Sequence, residues 1–250
     1  MQYPKTTINL ILILLAAVRV HCWCSEPVSW DLSVTHCGKY VWRGIPQTTG
    51  SALQPSLTLA HGSGLSASIW INHDVDSKDT TEKNYMLSYA WSQPNGTELS
   101  LSCVRYVFLG SAVADTTELA ASSKFGSRPE FEILAYYDVD KADGLYVSAG
   151  IYQQLKVFGA LFGKELQPEL SARVGLASAN HNAYWFGVDK ATLNDLCVAL
   201  SWPVYANRAT TVTLSTTLST IVSSSLRAAL RGQELDPTNF YVSLNVTVGM

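Results

Sequence analysis

Charge is what this sequence has least of: only 15% of its 250 residues are Asp, Glu, Lys or Arg, where a soluble domain carries about 25%. Long hydrophobic runs are missing as well. Past residue 24 no stretch of about 18 uncharged apolar residues occurs, which excludes a helical membrane protein for the rest of the chain. There is no Lys/Arg cluster and the net charge is −3, so nothing in the chain draws nucleic acid electrostatically. Cysteine is scarce. Apart from Cys22 and Cys24 near the start, the chain has Cys37, Cys103 and Cys197, an odd set and too few for a disulfide framework. What is present is apolar and aromatic, 47% and 10%, and that excludes disorder.

The first residues read as an export signal. Lys5 precedes the apolar stretch Ile8 to Val18, broken only by Asn9 and too short to span a bilayer. Small residues Cys22 and Cys24 suit cleavage before Ser25, and Val20 with Cys22 suit cleavage before Trp23. The flanks lack the small residues of a lipoprotein site. Residues 1–24 are therefore expected to be a cleaved signal peptide for the Sec pathway, and residues 25–250 the mature chain. Removing Lys5 and Arg19, with no acid, moves the net charge from −3 to −5.

From Trp30 onward apolar residues fall on every second position, the period of a strand with two different faces. Trp30–Trp42 is the first such run. Those that follow are Leu53–Leu59, Leu65–Val75, Tyr85–Trp91, Leu99–Leu109, Thr117–Phe125, Phe131–Val139, Leu145–Ile151, Leu166–Leu176, Leu196–Trp202, Val212–Val222 and Phe240–Met250. This makes about twelve strands of roughly 9–13 residues, the length of a tilted bilayer-spanning strand rather than the 5–6 of a globular one. The connections alternate too. Gly62-Ser63-Gly64, Gln93-Pro94-Asn95-Gly96 and Gly126-Ser127-Arg128-Pro129 are tight turns, whereas Arg43–Ser51, Asp76–Lys83, Ser178–Thr192 and Ser223–Asn239 are long loops. Short turns at one end and long loops at the other predict an all-β, up-and-down transmembrane barrel with both termini in the periplasm. Asp140–Gly144 is short where a long connection is expected, and Lys156–Glu165 is long where a short one is expected. Ser223–Leu235 carries helically spaced Leu226, Ala229 and Leu230 and is read as a surface loop.

The polar faces are mostly Ser, Thr, Asn, Tyr and Gly, which suits a narrow lumen rather than bulk water. Trp30, Trp42, Trp91 and Trp202 lie at strand ends on the apolar parity and are expected to form a membrane-interface girdle. Arg105 also falls on that parity. At the midplane it would cost about 2–4 kcal/mol, so it is expected near the outer rim or at a bulge.

The motif Gly38-Lys39-Tyr40-Val41-Trp42-Arg43-Gly44, followed by Ile45-Pro46-Gln47 and Ala52-Leu53-Gln54-Pro55, resembles a family of uncharacterised proteobacterial outer-membrane proteins. Those chains open their mature part with a strand ending in a Ser-Lys-Tyr-Val-Trp-Arg-Gly type motif. Ala135 to Asp140 with Tyr146, and Leu193-Asn194-Asp195-Leu196, are similar to its internal strands. The resemblance implies a barrel of the bacterial outer membrane, with a channel as one activity, and supplies no substrate. Cys37-Gly38 stands where the family has Ser before the Lys. The chain ends in Met250 rather than the aromatic that the outer-membrane insertion machinery reads.

Catalysis is disfavoured. His36, His61, His73 and His181 are the mature histidines, His73 beside Asp74 being the one that invites a base-and-orienter reading, but no Gly-x-Ser-x-Gly elbow accompanies them. They are read as solvated loop or rim residues. Asp74, Asp76 and Asp79 share a loop without the EF-hand spacing and are read as a solvated turn, so neither a metal nor a cofactor is expected. The inward faces carry Asp31, Glu98, Glu118, Glu130, Glu132, Asp138, Glu169 and Asp195 against Lys39, Arg43, Lys124 and Arg173. An excess of acid favours cations in a pore; the same charges, paired, would brace a closed lumen. Lys39, Arg43, Glu132, Tyr136, Asp138 and Arg173 are the residues expected to line the lumen. The reading is a small porin-like channel for small polar solutes, its partner the outer-membrane bilayer. The alternatives are a non-conducting barrel that binds a surface partner through its long loops and, further off, a lipid-modifying enzyme.

Overall fold

The computed structural model describes residues 27–156 and 167–250. The expected signal segment and nearly all of Lys156–Glu165 lie outside them. In chain order the elements are β1 (Val28–Cys37), β2 (Val41–Trp42), β3 (Ile45–Pro46), β4 (Ala52–His61), β5 (Leu65–Asp74), β6 (Asp79–Ser92), β7 (Glu98–Phe108), β8 (Thr116–Gly126), β9 (Glu130–Asp138), β10 (Leu145–Gln154), β11 (Glu169–Ala177), α1 (Ala179–Phe186), β12 (Thr192–Ala206), β13 (Thr210–Ile221), α2 (Ser224–Gly232) and β14 (Thr238–Gly249). Twelve of the strands close into a barrel in which sequence neighbours pair antiparallel. β1 completes the ring by pairing with β14, Asp31 opposite Gly249 through Cys37 opposite Ser243, and with β4 on its other edge. Closure leaves no strand edge unpaired, the condition for crossing a bilayer with strands. Each alternating run in the sequence corresponds to one barrel strand.

The two faces differ as the alternation requires. Leu32, Leu57, Ile133, Leu214 and Leu244 are exposed on the outer wall, each about two-fifths or more accessible except Leu57 at 39%. The inner wall carries cross-strand hydroxyl pairs: Ser33 with Ser56 at 2.8 Å, Ser88 with Ser102 at 2.8 Å, Ser100 with Ser122 at 2.6 Å and Ser215 with Ser201 at 2.9 Å. Small hydroxyls satisfy one another across the pleat without filling the lumen.

Trp30, Trp91 and Trp202 sit on the outer parity near the end that carries the termini, opposite Leu59, Leu99 and Leu214 respectively. Trp42 does not join them. β1 ends at Cys37, five residues before the first alternating run ends, because the chain turns at Gly38 and folds inward as a short β2–β3 hairpin. Alternation continues through the turn, so the period alone conceals the break. Arg105 keeps the outer parity without a bulge and lies at the distal end, where Asp140 and Asp115 meet it at 3.0 and 3.5 Å and Thr117 Oγ1 accepts from it at 3.1 Å. The rim placement resolves its charge.

The distal connections are more structured than the loops the sequence suggests. Ser178–Thr192 contains α1, with Ser178 Oγ accepting the N–H of His181 as an N-cap and Gly187 ending the helix in the left-handed region at φ 69°. Ser223–Asn239 contains α2 rather than an irregular loop. Its helically spaced Leu226 and Leu230 are fully buried, and the missing tertiary partners explain why a nine-residue stretch with no acidic N-terminal turn reads weakly as a helix.

Candidate functional site

The distal half of the lumen is filled by the chain itself. The turn of the β2–β3 hairpin is Arg43-Gly44, with φ of 48° and 81°, the two-residue turn that requires positive φ at both central positions. Tyr40 anchors the base, its N–H donating to Thr48 Oγ1 at 2.9 Å and its carbonyl accepting from Gln47 at 2.8 Å. The hairpin thereby carries Arg43 into the interior of the barrel, with its side chain almost entirely enclosed.

Arg43 meets Glu118 of β8 in a fork: Nη1 to Oε1 at 2.8 Å and Nη2 to Oε2 at 2.7 Å. The Tyr106 hydroxyl donates to the same Oε2 at 2.8 Å. The faces of the guanidinium are covered by Trp42, Tyr146 and Tyr136, whose ring centres lie 4.3, 4.3 and 4.7 Å away. Two charges withdrawn from water are costly, and this arrangement compensates both with bidentate hydrogen bonds and aromatic faces. Such a pair holds a defined position; it does not slide.

Above Arg43 stands a cap. Ile45 of the hairpin, Phe186 of α1, Ile221 at the end of β13 and Leu226 and Leu230 of α2 form one buried apolar cluster, with Trp42 and Trp185 packed against it. The two tryptophans meet edge to face at 4.8 Å, a geometry worth about 0.5–1.5 kcal/mol beyond the area it buries. Asn182 and Asn194 exchange amide hydrogen bonds at 2.7 and 3.2 Å and tie α1 to β12. Hairpin, helices and wall therefore form one plug at the distal mouth.

His181, expected as a solvated loop residue, is fully buried inside this plug. Its Nε2 lies 3.2 Å from Arg43 Nη1. Arginine can only donate, so Nε2 accepts and the proton sits on Nδ1, facing Asn182 Oδ1 at 3.4 Å. Burial, with the Arg43 charge beside it, pushes His181 down to about 3. An unfolded histidine titrates near 6.5, so the released α1 segment binds a proton over a range where the docked one does not. Docking is therefore fully stabilised above about pH 6.5 and weakens as pH falls toward 3, by at most about 1.4 kcal/mol per pH unit. The protection factors of the α1 amides, exchange corrected for its intrinsic pH dependence, should fall between about pH 6.5 and 4. His181→Gln, which keeps an acceptor for Arg43 but cannot titrate, should flatten that slope; an equal slope in both proteins would refute it.

Of the residues expected to line the lumen, Arg43, Tyr136 and Arg173 converge on one cavity beneath the plug, with Tyr146 and Ser148. Glu132 lies on the same inner parity nearer the terminal end, accepting from the Tyr152 hydroxyl at 2.7 Å and facing Lys124 at 3.5 Å. Lys39 is at the distal end, its Nζ on Asn239 Oδ1 at 2.9 Å. Asp138 does not face open lumen: it is fully buried, bonded to Thr116 Oγ1 and accepting the N–H of Asp140 and Lys141, so it anchors the β9–β10 turn. Trp42 belongs to the plug and not to the outer wall where the sequence places it, since its ring packs on Arg43 and Trp185 inside the barrel. Asp74 accepts the N–H of Asp76 and Ser77, which makes its loop a backbone turn. Cys37, Cys103 and Cys197 are free thiols. Sequence reasoning named Glu118 only as one acid among eight and did not single out Tyr106. The bulk of Trp42 and Arg43 directly before a glycine was the available signal.

A second cavity of about 300 Å³ extends toward the terminal end, with an aromatic ceiling of Tyr40, Trp42, Trp70, Tyr106 and Tyr136 over the serines Ser68, Ser100, Ser102 and Ser122. Around the terminal rim stand the inward acids Asp31, Glu98, Glu130 and Glu169, with Lys124 4.0 Å from Glu130.

No protein-family model matches the chain, and no curated protein sequence matches it. Among solved structures it is similar to the KdgM porin, at 6% identity over 87% of this chain and 98% of that one, with a TM-score of 0.54. It is likewise similar to the KdgM porin in complex with disordered oligogalacturonate, at 6% identity over 88% and 98% of the two chains and a TM-score of 0.52. The COG4313 outer membrane channel from Pseudomonas putida F1 aligns over 93% of this chain and all of that one, with 10% identity and a TM-score of 0.48. At such identities the likeness concerns architecture, and the chain has the fold of a closed, antiparallel outer-membrane β-barrel.

Proposed function

We propose that this protein is a porin-like channel of the bacterial outer membrane that admits small polar solutes and rests with its distal mouth shut. The observation that carries the reading is a hydroxyl-lined lumen filled at one end by an inward-folded segment of the chain, the β2–β3 hairpin, rather than by the wall. A purely structural barrel gains nothing from an aromatic cavity of about 300 Å³ beneath the plug. On this reading the termini and short turns lie in the periplasm, the plug faces outward, and Trp30, Trp91 and Trp202 ride at the periplasmic interface. Solutes pass when the hairpin withdraws. The outer-membrane reading is supported by the porin architecture and by the resemblance of the Gly38 to Gly44 motif, which forms the hairpin itself.

The acids at the inner rim are the expected source of a mild cation preference. Glu118, Asp138 and Glu132 are engaged by partners, whereas Asp31, Glu98, Glu130 and Glu169 outnumber Lys124 at the mouth. The wild-type barrel in planar bilayers should show rare, brief openings with a reversal potential displaced toward K⁺ in a KCl gradient. Neutralising Glu98 and Glu130 together should reduce that displacement by about half. Absence of conductance from heat-modifiable, folded samples of both the wild type and a plug-released variant would sink the channel reading.

A further inference from the structure

The bases of the inner wall are not equivalent. Lys39 is bound to Asn239, Arg43 to Glu118, and Lys124 stands beside Glu132. Arg173 of β11 makes no hydrogen bond or ion pair among the described residues, and its Nε is buried without a partner. Asp195, an acid on the adjacent strand, has its Oδ1 taken by the Tyr146 hydroxyl at 3.0 Å and forms no ion pair with Arg173. Arg173 borders a cavity of about 180 Å³ together with Trp42, Arg43, Tyr136, Tyr146 and Ser148. Neither the Tyr136 hydroxyl nor the Ser148 hydroxyl has a hydrogen-bond partner among the described residues. A guanidinium with no direct hydrogen bond or ion pair, offset only at longer range by Asp195, and two free hydroxyls thus border one half-open cavity. A buried donor such as Arg173 Nε is ordinarily paired, so the cavity that Arg173 borders suits a hydrogen-bond acceptor.

We infer that this cavity is a binding site for the carboxylate of a small solute, held by Arg173 with Tyr136 and Ser148. The guanidinium fork matches a planar carboxylate. Asp195 already offsets part of the Arg173 charge, so a carboxylate monoanion is accommodated more readily than a phosphate dianion, which would bring a larger excess of negative charge. The Trp42 and Tyr136 rings offer apolar faces to a short carbon skeleton. Because Arg43 is already neutralised by Glu118, the selectivity rests on Arg173. The site also lies directly under the plug, so an occupant would touch the Trp42 ring that the hairpin presents.

The test uses acetate and its neutral isostere acetamide as probes, read by saturation-transfer NMR on the purified full-length barrel in detergent micelles. Acetate should bind with half-saturation at about 1–10 mM and acetamide at least about tenfold more weakly. Arg173→Gln should lose acetate binding by about tenfold or more, Tyr136→Phe and Ser148→Ala by about threefold each, and Lys124→Gln not at all. Arg173→Lys, which keeps the charge, should retain binding within about fivefold and serves where Arg173→Gln does not give the heat-modifiable folded band. Equal binding of acetate and acetamide, no acetate binding at all, or wild-type binding by folded Arg173→Gln each overturns the site. The site goes beyond the channel reading and can fail separately: binding without conductance would remove the channel and leave the site, and conductance without binding would do the reverse.

Discussion

Replacing Glu118 by Ala should unseat the hairpin and raise the open probability of the reconstituted barrel by at least about a hundredfold. The reasoning is electrostatic. With Glu118 gone, Arg43 loses both arms of its fork and Tyr106 loses its acceptor, yet the surroundings that keep water out, Trp42, Tyr136, Tyr146 and His181, remain. Leaving one partner of a buried pair uncompensated costs about 3–5 kcal/mol. The barrel wall does not depend on the pair, because its ladder hydrogen bonds close without the hairpin. The cost therefore falls on the equilibrium between docked and withdrawn hairpin, where 3 kcal/mol is already more than a hundredfold. Single-channel recording measures it directly, and faster tryptic cleavage after Arg43 measures it independently. The companion double variant, Arg43→Met with Glu118→Leu, should stay shut, since apolar side chains of similar volume often replace a buried pair at little cost. A double variant as open as the single one would mean that the pair recognises something other than its own partner.

How much of this was legible beforehand depends on which physical rule was at work. The barrel was legible because twelve strands must each present one face to lipid and one to a lumen, and period-two alternation records that demand residue by residue. Arg105 was placed from the same parity plus the cost of burying its charge in lipid. The plug was not legible, for a specific reason. Tyr40, Trp42 and the residues before them continue the alternation of β1, so nothing in the period marks where the strand leaves the wall. The signal lies in Arg43-Gly44, a pair suited to a tight turn of positive φ, and it was read as the start of an outer loop. His181 and α2 were missed for another reason: their burial is created by segments more than thirty residues away in sequence, His181 against Arg43 and Leu226 against Ile45. Asp138 looks like any inward acid until the β9–β10 turn supplies its backbone donors. Local periodicity reports the wall; the plug is a tertiary construction inside it.

The second large effect is expected at Gly44, and it separates two accounts of how the hairpin stays in place. If the Arg43–Glu118 pair alone held it, a change at Gly44 that leaves both charges intact would be nearly silent. The geometry says otherwise. Gly44 sits at φ 81°, where a side chain brings strain of about 1–2 kcal/mol, and a Cβ there would run into Ile221 Cδ1 and come within 3.0 Å of Asp195 Cβ. Ile221 is itself fully buried in the cluster with Leu226 and Leu230, so it has little room to yield, and overpacking adds about 1–3 kcal/mol. Gly44→Ala should therefore destabilise the docked hairpin by about 2–5 kcal/mol, with openings lengthened and amide exchange in α2 accelerated, because the strain is delivered to the cap. Gly44→Asn tolerates positive φ but carries more bulk past the Cβ toward Ile221, so it should open at least as much as Gly44→Ala. The folded band on unheated gels should be unchanged in both, since no wall strand contains the residue. Wild-type conductance and exchange in Gly44→Ala would leave the ion pair as the sole latch, and the order wild type, Ala, Asn would establish that cap packing shares the work of closure with it.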